Sequence, residues 1–243
     1  MEVHAHSHHG KKKWTEYFWE FFMLFLAVTL GFFVENQREH YTEGKRGKQY
    51  IRSLIEDLKI DSAKLYFVSS EFKKISAAVD TLLYDFDDFG KNDPLQFKRQ
   101  YDLLHGFPDF IYTDRTIQQL KSSGGLRLIH GAASDSIINY DSQVQDLLLE
   151  LTSLGRAYET QGQLLNQHVN MKALRDALAD QGAAKNKKVN FFLLTDDKNV
   201  LAYIYNTVLG YKEYLFGISQ QMDGLKHMAI ELISFLEKDY QLK

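Results

Sequence analysis

The residues best suited to chemistry in this sequence are four histidines near its N-terminus, His4, His6, His8 and His9. Neutral imidazole is a common ligand for Zn²⁺ and Ni²⁺. A flexible tail imposes no coordination geometry, so a selective site requires an oligomer that brings several tails together. We therefore expect Zn²⁺ or Ni²⁺ to bind the assembled protein more tightly than a peptide of residues 1–13. The alternative is a solubilising, pH-sensitive tail without a specific metal site.

Sequence signatures of catalysis and of nucleic-acid binding are absent. The chain has no cysteine, which excludes disulfides, iron–sulfur clusters and thiolate zinc sites. It has no nucleophile elbow, no His-Glu-x-x-His pair and no glycine-rich phosphate or dinucleotide loop. The formal net charge of −3 gives no basic excess for binding phosphate backbones. We predict no enzymatic activity, no catalytic or cofactor-binding residue and no nucleic-acid partner.

The first element behind the tail is an apolar segment, Trp14–Val34, which follows three lysines at residues 11–13. A helix of about 21 residues spans roughly 30 Å, the thickness of the hydrocarbon core of a bilayer. Its phenylalanines occupy the whole circumference, which is unusual for the core helix of a soluble protein. No small-x-small cleavage site follows at residues 31–35. We predict an uncleaved signal-anchor, a transmembrane helix at residues 14–35 in contact with membrane lipid.

Four residues of this segment share one helical stripe, because their spacings are four, seven and four: Glu16, Glu20, Ala27 and Gly31. Ala27 and Gly31 form a small-xxx-small pair that lets a second helix approach closely. Carboxylates at this depth favour protein neighbours over lipid. We predict that the stripe is a membrane-helix interface and that the protein forms homo-oligomers.

Residues that follow the span predict a polar stalk and then a helical domain. Residues 36–49 carry no apolar stripe and are expected to be helical or frayed at Gly44 and Gly47. Apolar residues then recur at heptad spacing in three long runs, which start at Ile51, Ile137 and Leu201. Helices of about 40 residues bury such stripes only against one another. We predict an all-α fold in which residues 50–243 form an elongated antiparallel helical bundle with coiled-coil-like packing.

The segment between the first two runs predicts shorter helices. They are expected near Leu95–His105 and Asp114–Ser122, with Asp114 as an N-cap and Gly124 and Gly125 as a stop. Together these pieces are expected to supply a fourth, broken member of the bundle.

Four stretches carry a family resemblance: Met1-Glu-Val-His4-x-His6-x-His8, Phe25-Leu-Ala-Val-Thr-Leu-Gly-Phe-Phe-Val-Glu35-Asn, Tyr50-Ile-x-Ser-Leu-x-x-Asp-Leu58 and Leu120-Lys-Ser-Ser-Gly-Gly-Leu-Arg-Leu-Ile129. They resemble a family of uncharacterised bacterial single-pass membrane proteins with a His-rich N-terminus. The resemblance covers residues 1–60 and parts of 115–140. It implies a native N-terminus and a place in the bacterial inner membrane. It implies no activity, so no functional residue is transferred.

The basic residues around the span give two indications of orientation. Three lysines precede the span and five basic residues follow it between residues 38 and 52, so the count favours a cytoplasmic C-terminal side. The cluster that adjoins the membrane is, however, the N-terminal one, and a large domain is translocated largely regardless of charge. We expect a cytoplasmic N-terminus and a periplasmic bundle.

These features predict a non-enzymatic, membrane-anchored helical scaffold or interaction module. One alternative is a ligand-sensing bundle that signals through a partner. The other is an accessory subunit of an ion-driven or transport membrane complex, in which Glu20 acts as a proton or cation relay.

Overall fold

A computed structural model of the chain describes residues 13–89, 93–179 and 192–242. These residues confirm the all-α fold, since they contain no β-strand and only an isolated bridge between Val169 and Leu193. The α-helices, in chain order, are α1 (Trp14–Tyr84), α2 (Pro94–Leu103), α3 (Arg115–Ser122), α4 (Gly131–His168), α5 (Met171–Ala179) and α6 (Lys198–Asp239). Short 3-10 helices occupy Phe86–Asp88 and Gly125–Leu128.

Helix α1 continues through the segment where fraying was one expectation. Both Gly44 and Gly47 are helical, although glycine inside a helix costs about 1 kcal/mol relative to alanine. Good helix formers flank them, among them Glu43, Lys45 and Lys48, and these favour the helical state. The chain divides into two compact units between Gln49 and Tyr50.

The second unit has three long helices around one core, and α6 is antiparallel to the other two. Three side-chain contacts join α1 to α6. Lys59 Nζ lies 3.3 Å from a Glu237 carboxylate oxygen, the Ser69 hydroxyl donates to Asp223 at 2.9 Å, and Lys212 Nζ lies 3.0 Å from Asp80. Along α4 and α6, the ring Nδ1 of His130 lies 3.1 Å from Asp239, and the Tyr214 hydroxyl donates to Glu150 at 2.8 Å. Helices α1 and α4 therefore run in the same direction.

The heptad positions fill the core, as the spacing predicted. Buried residues of α1 include Ile51, Leu58, Leu65, Phe72 and Val79, and the runs on α4 and α6 that start at Ile137 and Ile204 are buried in the same way. Side chains of this kind each gain about 1.5–3 kcal/mol from burial. This burial against one another is what aligns the three helices.

The connection between α1 and α4 forms the broken fourth member that the sequence predicted. Asp93 caps α2, with its carboxylate accepting from the Leu95 N–H at 2.9 Å. Asp114 immediately precedes α3, but its side chain makes no capping hydrogen bond. Gly124 ends the helical stretch with a φ of 66°, a left-handed conformation that favours glycine.

Candidate functional site

Among the described residues, one helix is long and apolar enough to cross a membrane, and it is α1 near the N-terminus. The apolar window within it is 0% buried by the rest of the chain. Large apolar side chains are exposed on every side of it, including Trp19, Phe21, Leu24 and Phe32. An exposed apolar surface of this extent marks contact with lipid or with another protein.

The predicted interface residues Glu16, Glu20, Ala27 and Gly31 all lie exposed on this part of α1. A Cβ placed on Gly31 meets no atom within 4 Å, so a close-packed helix would have room there. The predicted metal ligands His4, His6, His8 and His9 lie outside the described residues. In the part of the chain that the structure describes, no group of three or more His, Asp or Glu side chains is arranged to hold a metal ion.

Three aspartates are buried in the second unit, and sequence reasoning missed them as a group. Asp57 and Asp61 on α1 are each 1% exposed, and Asp141 on α4 is 3% exposed. Buried carboxylates are costly unless other groups neutralise them or donate hydrogen bonds to them. A signal was present, because Asp61 occupies a heptad position that is otherwise apolar and Asp57 precedes it by one helical turn.

Asp57 is fully engaged by the start of α3. The Arg115 guanidinium donates to Oδ1 at 2.6 Å, while the Thr116 N–H donates to Oδ2 at 3.2 Å. The Thr116 hydroxyl donates to the same Oδ2 at 2.5 Å. The Arg115 side chain stays largely exposed, so one carboxylate fixes the first turn of α3 to α1 while the cation remains solvated.

Asp61 and Asp141 hold two consecutive residues that precede α3. The Thr113 N–H donates to Asp61 Oδ1 at 2.9 Å. The Tyr112 hydroxyl donates to Asp141 Oδ1 at 3.0 Å, and Lys121 pairs with the other oxygen of Asp141. The carboxylates of α1 and α4 therefore clamp the same short stretch of chain from two sides.

Burial shifts the pKa of Asp61 and of two tyrosines beside it. It raises the pKa of the Asp61 carboxyl above its usual range, although hydrogen bonds from Thr113 and the charge of Lys64 act in the opposite direction. Burial, together with the neighbouring carboxylates, also raises the pKa of the Tyr112 and Tyr140 hydroxyls. These tyrosines stay neutral at physiological pH, so they supply no phenolate. The arrangement is suited to fixing chain position, because each buried carboxylate accepts hydrogen bonds from the chain before or within α3.

The packing of the second unit is open at one end. A cavity of about 600 Å³ lies where Phe86, Phe89 and Leu193 meet the start of α6 at Leu201 and Tyr205. Cavities that bind small molecules fall in this size range and are mostly apolar. This cavity is at the end of the second unit remote from Tyr50.

Comparisons of the chain with protein-family models, with curated proteins and with solved structures found no match. The assignment of function therefore depends on the surfaces and contacts described above.

Proposed function

We propose that this protein is a non-enzymatic helical scaffold or interaction module, anchored in a membrane by residues 14–35 and assembled as a homo-oligomer. The observation that carries the proposal is the uncovered apolar part of α1, which exposes Trp14, Phe21, Leu24 and Phe32 together. Lipid in contact with such a surface removes its apolar side chains from water. The resemblance described above supports a bacterial inner membrane, and the three lysines at residues 11–13 favour a cytoplasmic tail and a periplasmic bundle.

Membrane retention is tested with a charged pair in the middle of the span. Leu24→Arg with Val28→Arg places two cations at the centre of the apolar helix, each at a cost of about 2.5–3.5 kcal/mol for insertion. We expect this variant to leave the membrane fraction on alkaline carbonate extraction, whereas the unchanged chain stays in it. Gln37→Arg with Tyr41→Arg is the control, because its spacing is the same and these side chains are also exposed. Equal retention of all three proteins would overturn the anchor.

Assembly is tested by measuring mass in mild detergent. Ala27→Leu with Gly31→Leu removes the close approach on the predicted interface, so we expect a smaller species than the unchanged chain. Thr29→Leu lies on another side of the helix and serves as the control. A strictly monomeric unchanged chain would overturn the oligomer.

A ligand-sensing bundle is the second candidate, favoured by the 600 Å³ cavity beside Phe86 and Tyr205. Its walls are aromatic and aliphatic, while Asp196, Lys198 and Asn206 supply polar groups. A screen of metabolites for shifts in melting temperature separates the two candidates. Ala202→Trp would fill the cavity, so a metabolite-induced shift in melting temperature that is lost in this variant supports ligand sensing. If no metabolite shifts the melting temperature, ligand sensing is ruled out.

A further inference from the structure

The residues between α2 and α3 include a stretch without helix, 106–113, which we call the crossover segment. At one end the Gln161 amide donates to the Leu104 carbonyl at 3.0 Å, and at the other Tyr112 reaches Asp141 at 3.0 Å. The two anchor points on α4 are 20 residues apart by number, about 30 Å along a helix. The eight Cα–Cα steps from Leu104 to Tyr112 reach about 26–29 Å when fully extended, and the Gln161 and Tyr112 side chains add to this reach. The segment therefore runs antiparallel along α4, from Gln161 toward Asp141.

Burial alternates from residue 109 to residue 112 of the crossover segment, as it does along a β-strand. Phe110 is 6% exposed and Tyr112 points its hydroxyl at Asp141, whereas Asp109 is exposed and Ile111 is 70% exposed. Successive side chains of an extended chain point to opposite faces. One face of the segment therefore packs on the bundle and the other faces solvent.

One backbone edge of the crossover segment is bonded to α1. Lys64 Nζ donates to the Ile111 carbonyl at 2.8 Å, and the Thr113 N–H donates to Asp61 at 2.9 Å. Residues two apart in a strand direct their backbone groups to the same edge. The N–H and C=O groups of Phe110 and Tyr112 therefore face the opposite edge, and among the described residues none of them has a hydrogen-bond partner.

An apolar groove lies beside the crossover segment, between it and α4. Its volume is about 420 Å³, and its lining includes Phe107, Phe110, Leu148, Leu151 and Gly155. Leu149 is 68% exposed on the adjoining surface of α4. A Cβ placed on Gly155 meets no atom within 4 Å, so space is open above the helix at this point.

We propose that this groove binds an extended peptide segment of a partner protein, which adds as a β-strand to the Phe110 and Tyr112 edge. The peptide backbone would pair with the four free groups, and its alternate apolar side chains would enter the groove. Strand addition of this kind takes affinity from the main chain and specificity from the groove. The inference rests on the proposed function as an interaction module and names the kind of partner.

A free peptide suits this edge better than a second folded copy whose bundle lies on the same side. Paired strands lie about 4.8 Å apart, whereas packed helices need 8–10 Å between their axes. The crossover segment of another copy would bring its own α1 and α4 beneath it, into the space that α4 fills here. A peptide tail or an open loop carries no such elements and can lie over Leu149 and Gly155.

Selection from a random 12-residue peptide library on the full chain in detergent tests the proposal. We expect enriched peptides with alternating apolar residues and at least tenfold weaker binding to Gly155→Leu, which fills the groove. Gly217→Leu on α6 is the matched control, because it too is a helical glycine with open space around it. Both variants should unfold no more easily than the unchanged chain, since leucine favours helix over glycine.

Amide hydrogen exchange by NMR identifies the bonded edge. On binding a selected peptide, the N–H groups of Phe110 and Tyr112 should gain protection, and that of Asp109 should not. No enriched peptide, equal binding to Gly155→Leu, or protection elsewhere would each overturn the groove. The tests of membrane retention and of oligomer mass change Leu24, Val28, Ala27 and Gly31, none of which lies in the groove. A failure of the anchor or of assembly is therefore distinguished from a failure of peptide binding.

Discussion

Asp61 is the residue at which burial and protonation are most closely linked. Its carboxyl accepts from Thr113 and lies near Lys64, Asp57 and Tyr140, yet it has no direct ion pair among the described residues. Burial raises its folded-state pKa above the ordinary value of 3.8. The folded state therefore binds the proton more tightly than the unfolded state, and the ionised carboxylate reduces stability at neutral pH.

We predict that Asp61→Asn raises the free energy of unfolding at pH 7 by roughly 1 kcal/mol, because the buried charge is removed while an acceptor for Thr113 remains. For the unchanged chain, Asp61 should add stability as pH falls through its folded-state pKa, and the gain should level off below about 3.8. Urea unfolding across pH measures both effects. The difference between the two proteins should shrink toward low pH; a constant difference would contradict the assignment.

Substitution of Asp57 should have the opposite effect, because Asp57 accepts hydrogen bonds from Arg115 and Thr116 that fix the start of α3 to α1. Asp57→Ala leaves the buried Thr116 N–H and hydroxyl without their acceptor, so we expect a loss of about 2–3 kcal/mol in the free energy of unfolding. Asp80→Ala removes the exposed partner of Lys212 and should cost less than about 1 kcal/mol. Equal losses in the two variants would mean that the Asp57 contacts contribute no more than an exposed ion pair.

Sequence reasoning could find part of this cluster and not the rest. Asp61 interrupts a heptad run that is otherwise apolar, which is a local signal of a buried polar contact. Its partner Thr113 is far along the chain, and Asp141 meets Tyr112 only because α1 and α4 run in the same direction. Neither pairing follows from spacing, since both depend on the path of the connection between helices.

At the scale of elements, the effect of replacing a glycine should depend on whether it lies inside a helix or at a helix end. Gly217 sits in α6 with no atom within 4 Å of an added Cβ, whereas Gly124 has a φ of 66° at the end of the α3 region. We predict that Gly217→Ala stabilises the fold by about 0.5–1 kcal/mol and that Gly124→Ala destabilises it by about 1–2 kcal/mol. Thermal unfolding of both variants is the measurement, and shifts of the same sign would contradict this account.

The long helices were predictable and the crossover segment was not. Heptad runs from Ile51, Ile137 and Leu201 specify buried stripes that pack only on one another; the structure confirms these stripes, with the one on α6 buried from Ile204 onward and Leu201 only partly buried. The stretch from Phe107 to Tyr112 contains apolar residues too, but its path is decided by the contacts that join its two ends to Gln161 and Asp141 of α4. A connection of this kind has no hydrophobic periodicity from which its conformation could be predicted.

For the whole molecule, the contrast between the two units explains the proposed anchoring. The second unit buries its apolar stripes in its own core, whereas the apolar window of α1 is left uncovered. Orientation is then decided by competition between the lysines at residues 11–13 and the basic residues that follow the span. The segment adjoining the membrane should prevail because the bundle, as a large domain, is translocated with little regard to charge.

We predict that the bundle is on the periplasmic side, and the absence of cysteine makes this directly measurable. Tyr84→Cys places one thiol at a position that is 90% exposed, and Ser7→Cys places one in the tail. A membrane-impermeant maleimide applied to spheroplasts should label the first variant at once and the second only after lysis. Labelling of the tail alone would reverse the orientation, since the Lys and Arg count beyond the span would then have outweighed the three lysines before it. Labelling of both before lysis would contradict a single membrane span.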